Sequence, residues 1–319
     1  MLNLFKIAIN AFRESLREPI YCLMLLAALL LIWCYPPLSC FAFSEPLKLV
    51  VDSSMATALL FGLIVAVLCA SNTVAREMRN GTVLLLLSKP IPRWSFVLGK
   101  ILGIAAASLL FCAICCCASV ISVYIAVDQF RMEMHLYFFF IGVVFLACAA
   151  GMLMNYLRGY SFSEYAVYAA VLLVGGMMIC CLKFRPHPEL SLMDLAKALF
   201  LLMPAVLIMS VLAVGCATRF DVVPSLCFCS VFFFLGLISS YLFGGGSADP
   251  VLGPLFSCLY ALIPNWQFFW MADAIAVNHP IPSVYVWWAL GYAALYSLIA
   301  SAWAVTLFQN REAAGSREN

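Results

Sequence analysis

Long stretches without charge alternate with short polar breaks along nearly the whole chain. Charge-free runs occupy about 20–43, Ser53 to Ala75, a part of Ile101 to Val127, Leu136 to Leu157, about 162–182 (Glu164 near one end), about 198–217, Val222 to Phe243 and about 283–308. Each is close to the roughly 20 apolar residues that cross a bilayer. All are predicted helices, because irregular backbone cannot face lipid. The predicted fold is an all-α, polytopic integral membrane helix bundle of about eight spans, or six if the hairpin at 136–182 is re-entrant.

Two segments break this pattern. Over residues 1–18, Phe5, Ile9, Phe12 and Leu16 repeat on one helical face, with Lys6, Arg13, Glu14 and Arg17 around the other side. That spacing predicts an amphipathic interfacial helix, stopped by Pro19. Residues 244–282 open with Gly244-Gly245-Gly246. They carry Pro250, Pro254 and Pro264 inside an apolar stretch and then cluster Trp266, Phe268, Phe269 and Trp270. A broken apolar run with aromatics predicts an outside re-entrant or interfacial pair of short helices.

Composition narrows the class. The mean hydropathy is +1.07, 66% of the 319 residues are hydrophobic and 10% are charged. Soluble domains carry about 25% charged residues, so a soluble or disordered chain is excluded. What lies outside the spans is too scattered for a soluble catalytic domain, and 1–319 reads as a single transmembrane domain. A net charge of +2 without a basic stripe excludes an electrostatic nucleic-acid binder. The first apolar run, Pro19 to Ser44, is 26 residues long, too long for a cleaved signal core.

Lys and Arg set the orientation. With the amino terminus in the cytoplasm, Lys6, Arg13, Arg17, Arg76, Arg79, Lys89, Arg93, Lys100, Arg158, Arg219, Arg311 and Arg317 fall inside. Lys48, Arg131, Lys183, Arg185 and Lys197 fall outside, and both termini are then cytoplasmic. The 15 cysteines lie mostly in apolar runs, with Cys112, Cys115, Cys116 and Cys117 together in one. They read as small packing residues, or as a buried soft-metal site; zinc spacing is absent.

Catalytic signatures are missing. The sequence has no GxxxxGK[ST] phosphate loop, since Gly99-Lys100 is followed by Ile101, and no HExxH, GxSxG or GxGxxG. His135, His187 and His279 fall in three separate loops, and the spans hold almost no central acid of the kind proton-coupled carriers use. No cofactor or metal is expected on this chain.

The informative segment is 76–100. Arg76 to Arg79 continue the second span, Asn80-Gly81 ends it, and Thr82 can cap a short new helix. Leu84, Leu85, Leu86 and Leu87 then form an apolar knuckle flanked by cations. Pro90 and Pro92 stop it before the third span begins near Arg93 and Trp94. Such a knuckle either docks a partner or packs back on the bundle.

The segment resembles the permease subunits of type-two ABC exporters. Glu77, Gly81, Thr82, Leu86, Leu87, Ser88, Pro90, Ile91, Arg93 and Lys100 fall in register with that family's pattern. Asn10-Ala11-Phe12-Arg13-Glu14 with Leu16 to Ile20, Leu262 to Asn265, and Phe308 with Arg311 and Glu312 are similar to it as well. The extra hairpin at 136–182 departs from the six spans usual in such permeases.

The resemblance implies a dimer with a second permease copy or paralogue, each seated on a separate ATP-binding subunit that holds ATP and Mg. It implies that Glu14, Arg17, Arg76, Glu77, Gly81, Thr82, Leu84, Leu85, Leu86, Leu87, Ser88, Pro90 and Arg93 face that ATPase. The chain itself is then no enzyme. A path between copies is expected on the second and fifth-to-seventh spans, for a hydrophobic or amphiphilic substrate. Gly175-Gly176 and Ser239-Ser240 either allow close helix approach or are ordinary packing. A prokaryotic inner membrane is the expected location. The competing readings are a membrane scaffold or assembly factor without a transport cycle, and an ATP-independent carrier.

Overall fold

In the computed structural model, residues 2–42, 46–79, 92–128, 131–185, 190–243, 252–276 and 279–315 are described. Helices α1 (Leu2–Arg17) and α2 (Pro19–Ser39) are separated by Glu18, whose extended backbone is what a residue before proline prefers. Helix α3 (Pro46–Ala70) runs through a π-turn (Ser71–Ala75) into the short α4 (Arg76–Arg79). Helix α5 (Arg93–Ile125) follows, then a small antiparallel pair, β1 (Ala126–Asp128) and β2 (Arg131–Met132). Helices α6 (Met134–Arg158) and α7 (Phe162–Phe184) form a hairpin. The chain continues through α8 (Leu192–Ala217) and α9 (Val222–Phe243). The short α10 (Leu252–Leu262), a 3-10 turn (Trp266–Phe269) and α11 (Ala272–Ala276) lead to α12 (Ser283–Gly315).

Eight of these helices are long and apolar enough to span a membrane: α2, α3, α5, α6, α7, α8, α9 and α12. Both arms of the extra hairpin qualify. The described residues therefore hold eight candidate spans, the number expected when the hairpin is counted. The spans are apolar around most of their circumference, as membrane helices are, so small residues and buried hydroxyls decide how they pack.

Helix α8 is the centre. In its most apolar window 83% of residues are buried, against 17% in α12 and 22% in α9. It packs against α3, α5 and α12. A Cβ on Gly62 of α3 would stand 3.0 Å from Val206, and one on Gly215 of α8 would stand 2.9 Å from Trp303 of α12. Between α5 and α8, the Ser108 and Ser210 hydroxyls meet at 2.7 Å, both fully buried. The sixth span was expected to line a path between two copies; it is instead the core of one chain, enclosed by its own neighbours. Gly175 and Gly176 have no neighbour within 4 Å of an added Cβ, so they bring no helix close.

The hairpin is tightly made. Gly151 of α6 lies against Ala166 of α7, where an added Cβ would come within 2.8 Å. Gly159 ends α6 in the left-handed region (φ 66°), a cap that glycine adopts without strain. Trp33 of α2 stacks on Tyr137 of α6 at 4.6 Å and donates its indole N–H to the Tyr137 carbonyl.

The segment after α9 is held by polar contacts. The buried Asn265 donates to Ser240 Oγ at 2.6 Å and to the Tyr260 hydroxyl, and accepts the Gln267 amide. Tyr285 and Tyr296 of α12 donate to the carbonyls of Phe268 and Leu262.

Candidate functional site

The chemistry of the chain gathers at the end of the bundle where α1, α4 and the start of α5 meet. Helix α1 reaches it by packing lengthwise on α5. Gly99 and Gly103 make this approach possible. A Cβ on Gly99 would fall 2.7 Å from Ile7 Cγ2, and one on Gly103 would fall 2.6 Å from Ala11 Cβ. The four-residue spacing places both glycines on one face, as in close helix pairs. The amphipathic face of α1 therefore divides. Leu16 is buried, Phe12 packs on the core, and Phe5 and Ile9 remain exposed.

This docking brings five charged side chains together. Lys100, only 5% exposed, donates from Nζ to Glu14 Oε2 at 3.1 Å and to Glu77 Oε1 at 2.9 Å. Arg76 donates from Nη2 to Glu14 Oε1 at 3.2 Å and to Glu18 Oε1 at 2.9 Å. Glu14 thus holds one cation with each oxygen, and the group links α1, α4 and α5. The enclosed Lys100 is the strong member, because a buried ammonium needs carboxylate partners. Arg76 is nearly half exposed, so water screens its share.

Burial pushes the Glu77 carboxyl above the ordinary glutamate value, against the downward pull of Lys100. For Arg76, burial works against its charge, but Glu14 and Glu18 outweigh it and raise the guanidinium further.

A second contact joins α1 to the hairpin. Arg17 Nε donates to Glu164 Oε2 at 2.7 Å, and this hydrogen bond is the main cause that raises the Arg17 pKa. Glu164 lies in the first turn of α7, and Tyr168 donates to its other oxygen at 3.3 Å. The Ser163 hydroxyl reaches the carbonyls of Leu16 (2.7 Å) and Glu18 (3.2 Å).

Of the residues singled out by sequence, Glu14, Arg76 and Glu77 come together here, and Arg17 lies on the same turn but pairs with the hairpin. Arg93 is the first residue of α5. Gly81, Thr82, Leu84, Leu85, Leu86, Leu87, Ser88 and Pro90 lie outside the described residues. Sequence reasoning singled out Lys100 only as a motif position and Glu18 not as a site residue. Among the described residues no group of three or more His, Cys, Asp or Glu could hold a metal ion. The arrangement is suited to transmitting displacement between helices.

No curated protein matches the chain. Residues 5–157, which contain most of α1, the five clustered charges and nearly all of the first four spans, match the family model described as ABC-2 family transporter protein.

Proposed function

We propose that the chain is the membrane-spanning subunit of an ATP-driven exporter, with ATP hydrolysed by a separate subunit docked on α1 and on the 76–100 segment. The observation that carries this reading is the Lys100 contact with both Glu14 and Glu77. It ties the helix leading into the leucine knuckle to α1 and to a core span, so a push on the knuckle is transmitted to the bundle. A partner that binds two states unequally can shift the bundle between them. This end is then cytoplasmic, in keeping with the Lys and Arg bias.

A second permease copy completes the unit, and the uncovered faces of α9 and α12 support a paired arrangement in lipid. The nearly charge-free spans favour a hydrophobic or amphiphilic substrate. The location is the plasma membrane, of the prokaryotic inner-membrane kind.

The test is mild extraction from native membranes, pull-down of the chain and an ATP hydrolysis assay. A stoichiometric ATP-binding subunit, lost when Leu84 to Leu87 are made polar while the chain stays folded, is the expected result. A folded chain that returns without ATPase activity would overturn the reading in favour of a scaffold or an autonomous carrier.

A further inference from the structure

The last turn of α1 is held from two directions, and this carries an inference that rests on the coupling reading above. On one side, Glu14 and Glu18 engage Arg76, and Glu14 also engages Lys100. On the other, Arg17 meets Glu164, while Leu16 and Glu18 offer their carbonyls to Ser163. The two groups of contacts are adjacent in sequence, so α1 cannot rotate to satisfy one without moving the other.

On the hairpin side the carboxylate is the enclosed partner. Glu164 is 8% exposed and Arg17 is 59% exposed. An enclosed carboxylate that loses its cation is costly, so the guanidinium follows Glu164. The Glu164 carboxylate is in turn fixed by Tyr168 and by its place in the first turn of α7. The Leu16 carbonyl belongs to the end of a helix, where backbone acceptors lack intrahelical donors, and Ser163 supplies the donor from α7.

We propose that the α6–α7 hairpin is a brace for the coupling network, and that Glu164 is its positioning residue. The hairpin fixes the final turn of α1 so that Glu14 and Glu18 meet Arg76 and Lys100. This gives a role to the part of the chain that exceeds the six-span pattern. Glu164 acts only through α1 and touches neither ATP nor substrate.

The test uses the full chain in lipid nanodiscs, with hydrogen exchange read peptide by peptide, for wild type, Glu164→Gln, Glu164→Asp and the swapped pair Arg17→Glu with Glu164→Arg. In Glu164→Gln, exchange should rise roughly tenfold both around 162–168 and at Arg76–Arg79, as expected when a charge-assisted contact is lost. The aspartate and the swapped pair should restore both regions. If Glu164→Gln does not accumulate, Ser163→Ala removes only the bridging hydroxyl and should give the same pattern in milder form. Exchange that rises around 162–168 alone would overturn the proposal, because Glu164 would then serve the hairpin only. With the ATP-binding subunit added, kcat for ATP should fall in Glu164→Gln with KM unchanged. If exchange at Arg76–Arg79 rises but hydrolysis does not change, the brace stands and the coupling reading fails.

Discussion

Gly103 of α5 and Ala11 of α1 lie so close that a Cβ on the glycine would stand 2.6 Å from that of the alanine. Ala11 is itself fully buried, so neither side has room to give. The approach of α1 to the bundle is thus set by backbone contact, and the whole charge cluster depends on it.

Gly103→Ala should therefore displace α1 and cost about 1–3 kcal/mol, the range for forcing an extra carbon into a packed site. Gly103→Leu should detach α1 altogether. Limited proteolysis is the check: cleavage within residues 2–17 should accelerate in the order wild type, alanine, leucine, while the α8 core stays protected.

Removing the enclosed cation should be worse than removing any one acid. In Lys100→Met, Glu14 and Glu77 both lose the enclosed cation they share, and Glu14 keeps only its half-exposed partner Arg76. The loss should sit toward the low end of about 3–5 kcal/mol, since both carboxylates retain some contact with water. Lys100→Met combined with Glu77→Gln should recover part of it. Thermal unfolding of Lys100→Met, Glu77→Gln and the double variant in one detergent tests this, and equal losses for Lys100→Met and the double variant would refute it.

Acidification has a definite sign at Glu77. Its carboxyl is raised above the ordinary glutamate value by burial, so the folded chain holds the proton more tightly than the unfolded chain. Just above the ordinary value, the contribution of this group to stability therefore grows as pH falls and is lost as pH rises through the folded pKa. Glu77→Gln should remove this slope, and at neutral pH it should cost less than Lys100→Met, because Lys100 keeps Glu14. It should still lower ATP hydrolysis in the assembled complex, because the charged contact to Lys100 is gone. Melting temperature against pH for both proteins decides the first point.

Asn265 offers a test at the other end of the bundle. It is buried and contacts Ser240, Tyr260 and the Gln267 amide. Asn265→Ala should leave these groups short of partners at about 1–3 kcal/mol. The loosening should be confined to residues 252–276, where hydrogen exchange would show it.

The spans were legible because lipid imposes a length and forbids charge, and both are written one residue at a time. The docking of α1 was not. Gly99 and Gly103 were in view, but Gly99-Lys100 drew notice only as a failed phosphate loop. The four-residue spacing gains its meaning from Ile7 and Ala11, about ninety residues earlier. Face periodicity grouped Phe5 and Ile9 with Phe12 and Leu16, but it cannot tell the part of a face that is left exposed from the part that meets protein. Lys100 looked like a membrane-flanking cation, and only the fold brings Glu14 and Glu77 to it. Gly175 and Gly176, read either as sites of close approach or as ordinary packing, meet no neighbour within 4 Å of an added Cβ in this chain.

The central place of α8 has a consequence for how the bundle is made. Ser108 waits for Ser210, which is synthesised 102 residues later. Until then α3 and α5 have entered the membrane with the surfaces meant for α8 bare, and the Ser108 hydroxyl is left to the Ile104 and Ala105 carbonyls of its own helix. Contacts so distant in sequence form slowly. A nascent chain that stalls before residue 192 thus presents an unfilled groove between α3 and α5 within the bilayer, which lipid must line until α8 arrives.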